Sequence, residues 1–305
     1  MPPTSKPPTS KPTSTANTAT SPPVDYAKTL AAIAADGDIV LVDPDTAAVV
    51  RTVIRRDARF PATSVAWDAP RRMLYFGRGG DCASVWRHEL GAEPVYRLSS
   101  GHHPVVSPDG TQLAVADGCD GGGGQANGIT VRDSSTGAVL MQLPIMIPSA
   151  ARPEEPWYVG DIDWRPDGGA LVVTVGWEGI DEQRLVDVRR PPRSVIDGKR
   201  VVIKPSPPDV THAEIEFFAD TMAVAGRCCF GASGERSGRL FARDERSGEL
   251  TPIATGDAFS LTADATGRLR YLASSSFSRP AALWGIDRPG AEPREIGGLF
   301  SAVSG

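Results

Sequence analysis

Two short acidic motifs carry the residue types with the widest chemical scope. Asp161 and Asp163 flank Ile162 ahead of Trp164, and Glu214 and Glu216 flank Ile215 ahead of Phe217. On an extended strand residues two apart share a face, so each motif sets two carboxylates side by side. Four such oxygen donors suit a hard cation such as Ca²⁺; the plain alternative is a set of solvated acids at strand ends. His102 and His103 are expected just before one inner strand and His212 just before another, where an imidazole at the channel mouth can act as base or ligand, or simply cap backbone groups. No Gly-x-Ser-x-Gly elbow, His-Glu-x-x-His motif or phosphate loop accompanies them, so a nucleophilic hydrolase is unsupported. Trp157, Tyr158 and Trp177, with Glu178, are aromatic and polar groups of the kind that anchor peptides, sugars or proteins, unless they only fold over the core. Arg227 joins them as a candidate binding residue.

These groups need a scaffold, and residues 105–143 show what it is. VVS and TQLAVA are β-rich runs joined by Ser107-Pro108-Asp109-Gly110, where Pro presets φ and Gly accepts a positive φ. ITVRD and AVLMQL are joined by Asp133-Ser134-Ser135-Thr136-Gly137, whose Asp and Ser side chains can bond their own backbone. With no helical apolar period between them, the unit reads as four antiparallel strands. Degenerate copies recur along the chain. Turns matching SPDG occur at residues 67–70, 165–168, 219–220 and 264–267, and turns matching DSSTG at 43–46 and 244–248, with GAEP at 91–94 and 290–293. Such spacing points to stacked repeat units, each of which buries its faces against its neighbours.

The VVSPDGTQLAVA block resembles the WD40-like, TolB-like and YVTN-type β-propellers, over residues 30 to the end. True WD40 repeats would carry Trp-Asp at the ends of third strands; here Trp67-Asp68 falls on a first-strand turn instead. The resemblance implies an all-β, six-bladed propeller. Residues 29–54 supply only three strands, and residues 299–304 (LFSAVS) look like a missing first strand, so the C-terminal strand is expected to complete the N-terminal blade. Blades two to six would span 63–98, 102–143, 159–204, 212–254 and 258–297. The propeller domain is expected over 26–305, preceded by a disordered Pro/Thr/Ser-rich linker over 1–25.

In this topology the connections between second and third strands, and between blades, share one face. They are the longer ones, while the opposite face is expected to have only tight turns, so the ligand side is expected on the long-loop face. Cys82 and Cys119 fall in equivalent loops of adjacent blades, which makes a disulfide between them plausible, with free thiols as the alternative; a vicinal Cys228–Cys229 bond would be strained. No CxxC spacing suggests zinc. Trp86 and Trp284 hold matching places in third strands and are expected in the inter-blade core.

The formal charge is −5 with Lys and Arg dispersed, which argues against nucleic acid, and no run is long and apolar enough for a bilayer. The expected function is a non-catalytic, monomeric recognition or sensor module without a cofactor, binding a protein, peptide or glycan. It is expected outside the cytoplasm, with any membrane contact through a tether not present in this chain; the linker and, weakly, the cysteines suggest that compartment. The alternative is a Ca²⁺-dependent lactonase or lyase, because six-bladed lactonases of the gluconolactonase and paraoxonase kind hold a channel calcium; in this chain Asp161, Asp163, Glu214 and Glu216 would be its ligands.

Overall fold

The computed structural model describes residues 24–79, 83–117, 128–145, 157–177, 180–201, 210–219, 221–228, 239–244, 246–255, 257–274 and 280–305. After a 3₁₀ turn at Tyr26–Lys28 the strands are β1 (Leu30–Ala34), β2 (Ile39–Val42), β3 (Val49–Ile54), β4 (Ala62–Asp68), β5 (Met73–Arg78), β6 (Ser84–Glu89), β7 (Tyr96–Ser100), β8 (His102–Val106), β9 (Gln112–Asp117), β10 (Gly128–Asp133) and β11 (Val139–Pro144). They continue as β12 (Tyr158–Trp164), β13 (Ala170–Trp177), β14 (Ile180–Asp187), β15 (Lys199–Arg200), β16 (Val210–Phe218), β17 (Thr221–Cys228), β18 (Arg239–Arg243), β19 (Leu250–Thr255), β20 (Asp257–Ala263), β21 (Leu269–Ser274), β22 (Ala281–Ile286) and β23 (Arg294–Ser304).

Among the described residues β4–β7, β8–β11, β12–β15 and β16–β19 form four four-stranded antiparallel sheets, and a seven-stranded sheet runs β20-β21-β22-β23-β1-β2-β3. The seven-stranded sheet is two blades sharing one strand. Arg294 of β23 pairs with Gly285 of β22, whereas Ser304 pairs with Ala31 of β1, and Phe300 faces both Ala281 and Ala34. The described strands therefore group as six blades. Their innermost strands β4, β8, β12, β16, β20 and the end of β23 neighbour one another in a closed circuit.

The expected closure by residues 299–304 is present, with one difference. The tail is not a separate strand after a finished blade but continues the fourth strand of blade six without a break. Gly297 (φ +119) and Gly298 (φ +71) let β23 swing from one blade to the next, a conformation a side chain would oppose.

Strand alternation builds the core. Leu30 and Ala32 of β1 pack toward blade six, with Phe259 and Leu283, while Ala31 and Ile33 pack toward blade two, with Trp67 and Phe76. The same split recurs around the ring, so that the six apolar clusters of the described residues each fill one seam between adjacent blades. Middle strands are thus buried on both faces, as the unbroken apolar runs of β1 and β2 require, and outer strands such as β3 and β11 are half exposed. Trp86 and Trp284 pack half-buried against the seams between blades one and two and between five and six.

The turn chemistry is as the sequence dictates. Asp133 Oδ1 accepts the backbone N–H groups of Ser135 (3.1 Å) and Thr136 (2.7 Å), and Asp43 and Asp244 repeat this at their own turns. One connection differs from the expectation of tight turns alone. Residues 188–198 between β14 and β15 hold a 3₁₀ turn at Val195–Asp197, with Val195 fully buried as a plug. Pro191 and Pro192 cannot continue the β14 ladder, and β15 is described as Lys199–Arg200; residues 202–204, expected within this strand, lie outside the described residues.

Candidate functional site

The blade axis encloses a cavity of about 850 Å³, walled by the innermost strands and by the turns that follow them. Its wall includes Asp161, Asp163, Glu214 and Glu216, so the axis gathers both acidic motifs. Alternation explains their aim: Ile162 and Trp164 enter the seam behind, toward blade three, and the acids between them enter the seam ahead.

There the acids meet backbone. Asp161 Oδ2 accepts the N–H of Ile215 at 3.0 Å, and Asp163 Oδ2 that of Phe217 at 3.2 Å. One blade further on, Glu214 accepts the N–H of Ser260 and Glu216 Oε1 that of Ala263 at 2.9 Å. Polar side chains continue the series: Ser260 Oγ accepts the N–H of Val303 at 2.9 Å, Thr262 Oγ1 that of Gly305 at 2.8 Å, and Ser304 Oγ that of Trp67 at 3.3 Å. Inner-strand backbone N–H groups facing a seam have no ladder partner on that side, and these side chains satisfy them. The stitch thus runs from blade four through five, six and one to blade two. Between blades three and four the direction reverses, with Trp164 Nε1 donating to the Val105 carbonyl at 3.0 Å.

Electrostatics follow from this burial. Asp163 is pushed up to about 7 by loss of water, against the pull of the Phe217 and Trp164 N–H groups. Asp161 and Glu216 lie well above the ordinary carboxylate range, first because they are desolvated and then because neighbouring carboxylates repel their charge. Among the described residues no three His, Cys, Asp or Glu side chains are grouped to hold a metal ion. The four acids, expected as possible calcium ligands, each direct one oxygen at a backbone N–H of the next blade.

Of the other expected residues, His103 lines the same cavity. His102 opens β8, 6 % exposed, and its ring meets that of His103, at φ +47, edge-on at 4.8 Å between centroids. Trp157 packs half-buried against the core between blades three and four. Tyr158 begins β12 and is exposed. Trp177 ends β13, and His212 and Arg227 lie within β16 and β17. Glu178, Cys82 and Cys119 lie outside the described residues.

Two features escaped the sequence reading. The seam polar groups Ser260 and Thr262 share the polar-apolar-polar signal of DID and EIE, as SLT, but a hydroxyl draws less notice than a carboxylate; Ser304, after Ala302 and Val303, lacks that signal. The cavity also reaches the tight turns, whose Asp68, Arg71, Asp109 and Pro166 line its wall, although that face had been expected to lack a ligand role. Asp68 and Arg71 pair there at 3.0 Å.

No family model and no curated protein matches this sequence. Solved structures do match in fold. TolB from Acinetobacter baumannii superposes with a TM-score of 0.64 at 16 % identity, over 92 % of this chain and 67 % of that one. A chain of the nidogen/laminin complex gives 0.59 at 12 % identity, over 90 % and 97 %. The Cps50 (Swd1) β-propeller domain of Myceliophteria thermophila gives 0.53 at 16 % identity, over 90 % and 84 %.

Proposed function

We propose that this TolB-like, WD40-like β-propeller is a non-catalytic recognition module that binds a protein, peptide or glycan outside the cytoplasm, acting as a monomer. The observation that carries the reading is the engagement of the axial acids. Groups that could have served as base, nucleophile or metal ligand accept backbone N–H groups from the next blade, and so hold the ring together. What remains is a rigid ring around a cavity of about 850 Å³, a size common for ligand sites, with polar and apolar groups on its wall.

The solved complex of nidogen with laminin offers an analogy for a protein ligand. A Pro/Thr/Ser-rich stretch at residues 1–23 suits a spacer holding the ring at a distance from whatever bears it, which supports an extracytoplasmic setting. No helix among the described residues is long and apolar enough to cross a membrane. His103 and Tyr158, with Arg71 at the opposite mouth, are the described side chains we assign to ligand contact.

The test is calcium dependence. After dialysis against chelator, added CaCl₂ should leave the unfolding temperature unchanged, and Asp163→Asn should lower stability at mildly acidic pH with no change in bound calcium. Stoichiometric calcium that disappears in Asp163→Asn and Glu216→Gln would overturn the reading in favour of a lactonase-like enzyme.

A further inference from the structure

The connection between β14 and β15 differs in charge from the rest of the molecule. Within residues 188–200 lie Arg189, Arg190, Arg193, Lys199 and Arg200 against the single carboxylate Asp197, in a chain of net charge −5. All five cationic residues are exposed. A run of charge on a loose loop is ordinarily just solvated, but this loop is held. Asp187 Oδ1 accepts the backbone N–H groups of Arg189 (2.8 Å) and Arg190 (3.0 Å), which fixes the start. Val195 is fully buried in the seam between blades three and four, Ile196 N–H donates to the Ile145 carbonyl at 3.0 Å, and Ser194 Oγ donates to Asp197 at 2.8 Å.

Beside the cations the loop folds around a shallow pocket of about 450 Å³ lined by Pro192, Arg193, Ser194, Ile196 and Asp197. Its apolar members Pro192 and Ile196 are half-buried, so the pocket offers an apolar floor next to Arg193. Nearby carboxylates only partly offset the positive charge. Glu182 pairs with Arg184 and, at 3.2 Å, with Arg200; Asp167 lies 3.8 Å from Arg165; and Asp187 stays close to Arg189 and Arg190. Ordering these side chains on binding costs less here, because the backbone that carries them is already fixed.

We infer that this rim of blade four is a docking surface for an acidic protein segment carrying one apolar side chain, which seats on Pro192 and Ile196 while its carboxylates meet Arg189, Arg190 and Arg193. The site is separate from the axial cavity. A planar anionic membrane or a nucleic-acid duplex fits less well, for two reasons. Both demand a broad basic face, whereas here the cations occupy one connection of an acidic molecule. A phosphate backbone also has nothing apolar to place in the pocket.

The test uses a fluorescein-labelled decapeptide of Glu and Asp with one central leucine, beside a twin with serine for leucine, phosphatidylserine vesicles and a short DNA duplex. The chain is expected to bind the leucine peptide at least about fivefold more tightly than its serine twin, with affinity falling as salt is raised. Arg189→Glu with Arg193→Glu should weaken binding at least about tenfold. Both arginines are exposed, so the unfolding temperature of this variant should match that of the unaltered chain. Absence of saturable binding, equal affinity for the twin, no effect of charge reversal, or tighter binding to vesicles or duplex would each overturn the inference.

Discussion

Asp163 accepts the backbone N–H of Phe217 at 3.2 Å across the seam between blades four and five, and its other oxygen accepts the N–H of Trp164 at 2.7 Å. A buried acid is thereby a structural clamp, and its proton becomes part of the stability of the ring. Burial outweighs the two N–H groups and raises Asp163 to about 7.

Stability should therefore fall as neutral pH is approached. The folded protein holds the Asp163 proton more tightly than the unfolded chain, where aspartate titrates near 3.8, so the contribution is complete below that value and is lost as pH rises through about 7. The gap corresponds to about 4 kcal/mol. Asp161 and Glu216, also raised, act in the same sense. Turn aspartates act in the other: Asp133, drawn down to about 2 by Ser135 and Thr136, adds stability that is present above its ordinary value and lost as pH falls toward 2. Urea unfolding across this range should show a maximum at mildly acidic pH, and Asp163→Asn should flatten the neutral limb.

His88 should produce a limb of opposite sign. It is 8 % exposed at the seam between blades one and two, and burial, reinforced by Arg51 and opposed by Glu93 and Glu89, lowers its imidazole below 6.5. Such a group stabilises the fold above its unfolded value, and that support is lost as pH falls through the folded one. The stability of the unaltered chain relative to His88→Asn should therefore increase as pH rises through the folded value of His88, because Asp161, Asp163 and Glu216 are common to both. A difference that does not change with pH would sink this assignment.

Ring closure should depend on Phe300. It is 2 % exposed at the point where β23 passes between two blades, with Ala281 on one side and Ala34 on the other. Phe300→Ala should cost about 3–5 kcal/mol in urea unfolding, the range for a buried phenylalanine. Gly298→Ala tests the bend itself. Its added carbon would lie 2.4 Å from Phe300 Cε2 at a φ of +71, so a loss of at least about 1 kcal/mol is expected.

The same two blades share a charged lock. Arg270, with no exposed surface, reaches Asp264 at 3.2 Å, Asp45 at 3.3 Å and Asp287 at 3.4 Å, and donates to the Pro44 carbonyl at 3.1 Å. Pro44 and Asp45 belong to blade one, and Asp264, Arg270 and Asp287 to blade six. Arg270→Met should destabilise by about 3 kcal/mol because it strands buried acceptors, and Arg270→Lys should recover little, since one ammonium cannot replace a forked guanidinium. By contrast Lys28→Ala breaks only the exposed pair with Asp25 and should change stability by less than about 1 kcal/mol. Thermal unfolding of the three variants in low and high salt separates the cases.

Much of the ring was legible because its signals are local. Pro108, Asp109 and Gly110 make a turn whatever surrounds them, Asp133 bonds the residues next to it, and the repetition of such turns marks the blades. The candidate site was legible in part: alternation correctly put Asp161 with Asp163, and Glu214 with Glu216, on the axis. It could not say what those acids would face, because spacing fixes the side of a strand and not the neighbour waiting there. Trp157, read from the sequence as either a loop anchor or a residue folded over the core, packs half-buried against the core.

The amino-acid order alone set the hairpins, the blade count and the need for a returning C-terminal segment, since φ preferences, Asx turns and a missing strand are properties of short stretches. Only the closed ring decided the rest. It brought the N–H groups of Ile215 and Phe217 within reach of two aspartates, drew β23 through Gly297 and Gly298 into a neighbouring blade, and fixed an arginine-rich loop through Val195. Those outcomes join residues far apart in the chain, and burial at a shared seam is what couples them.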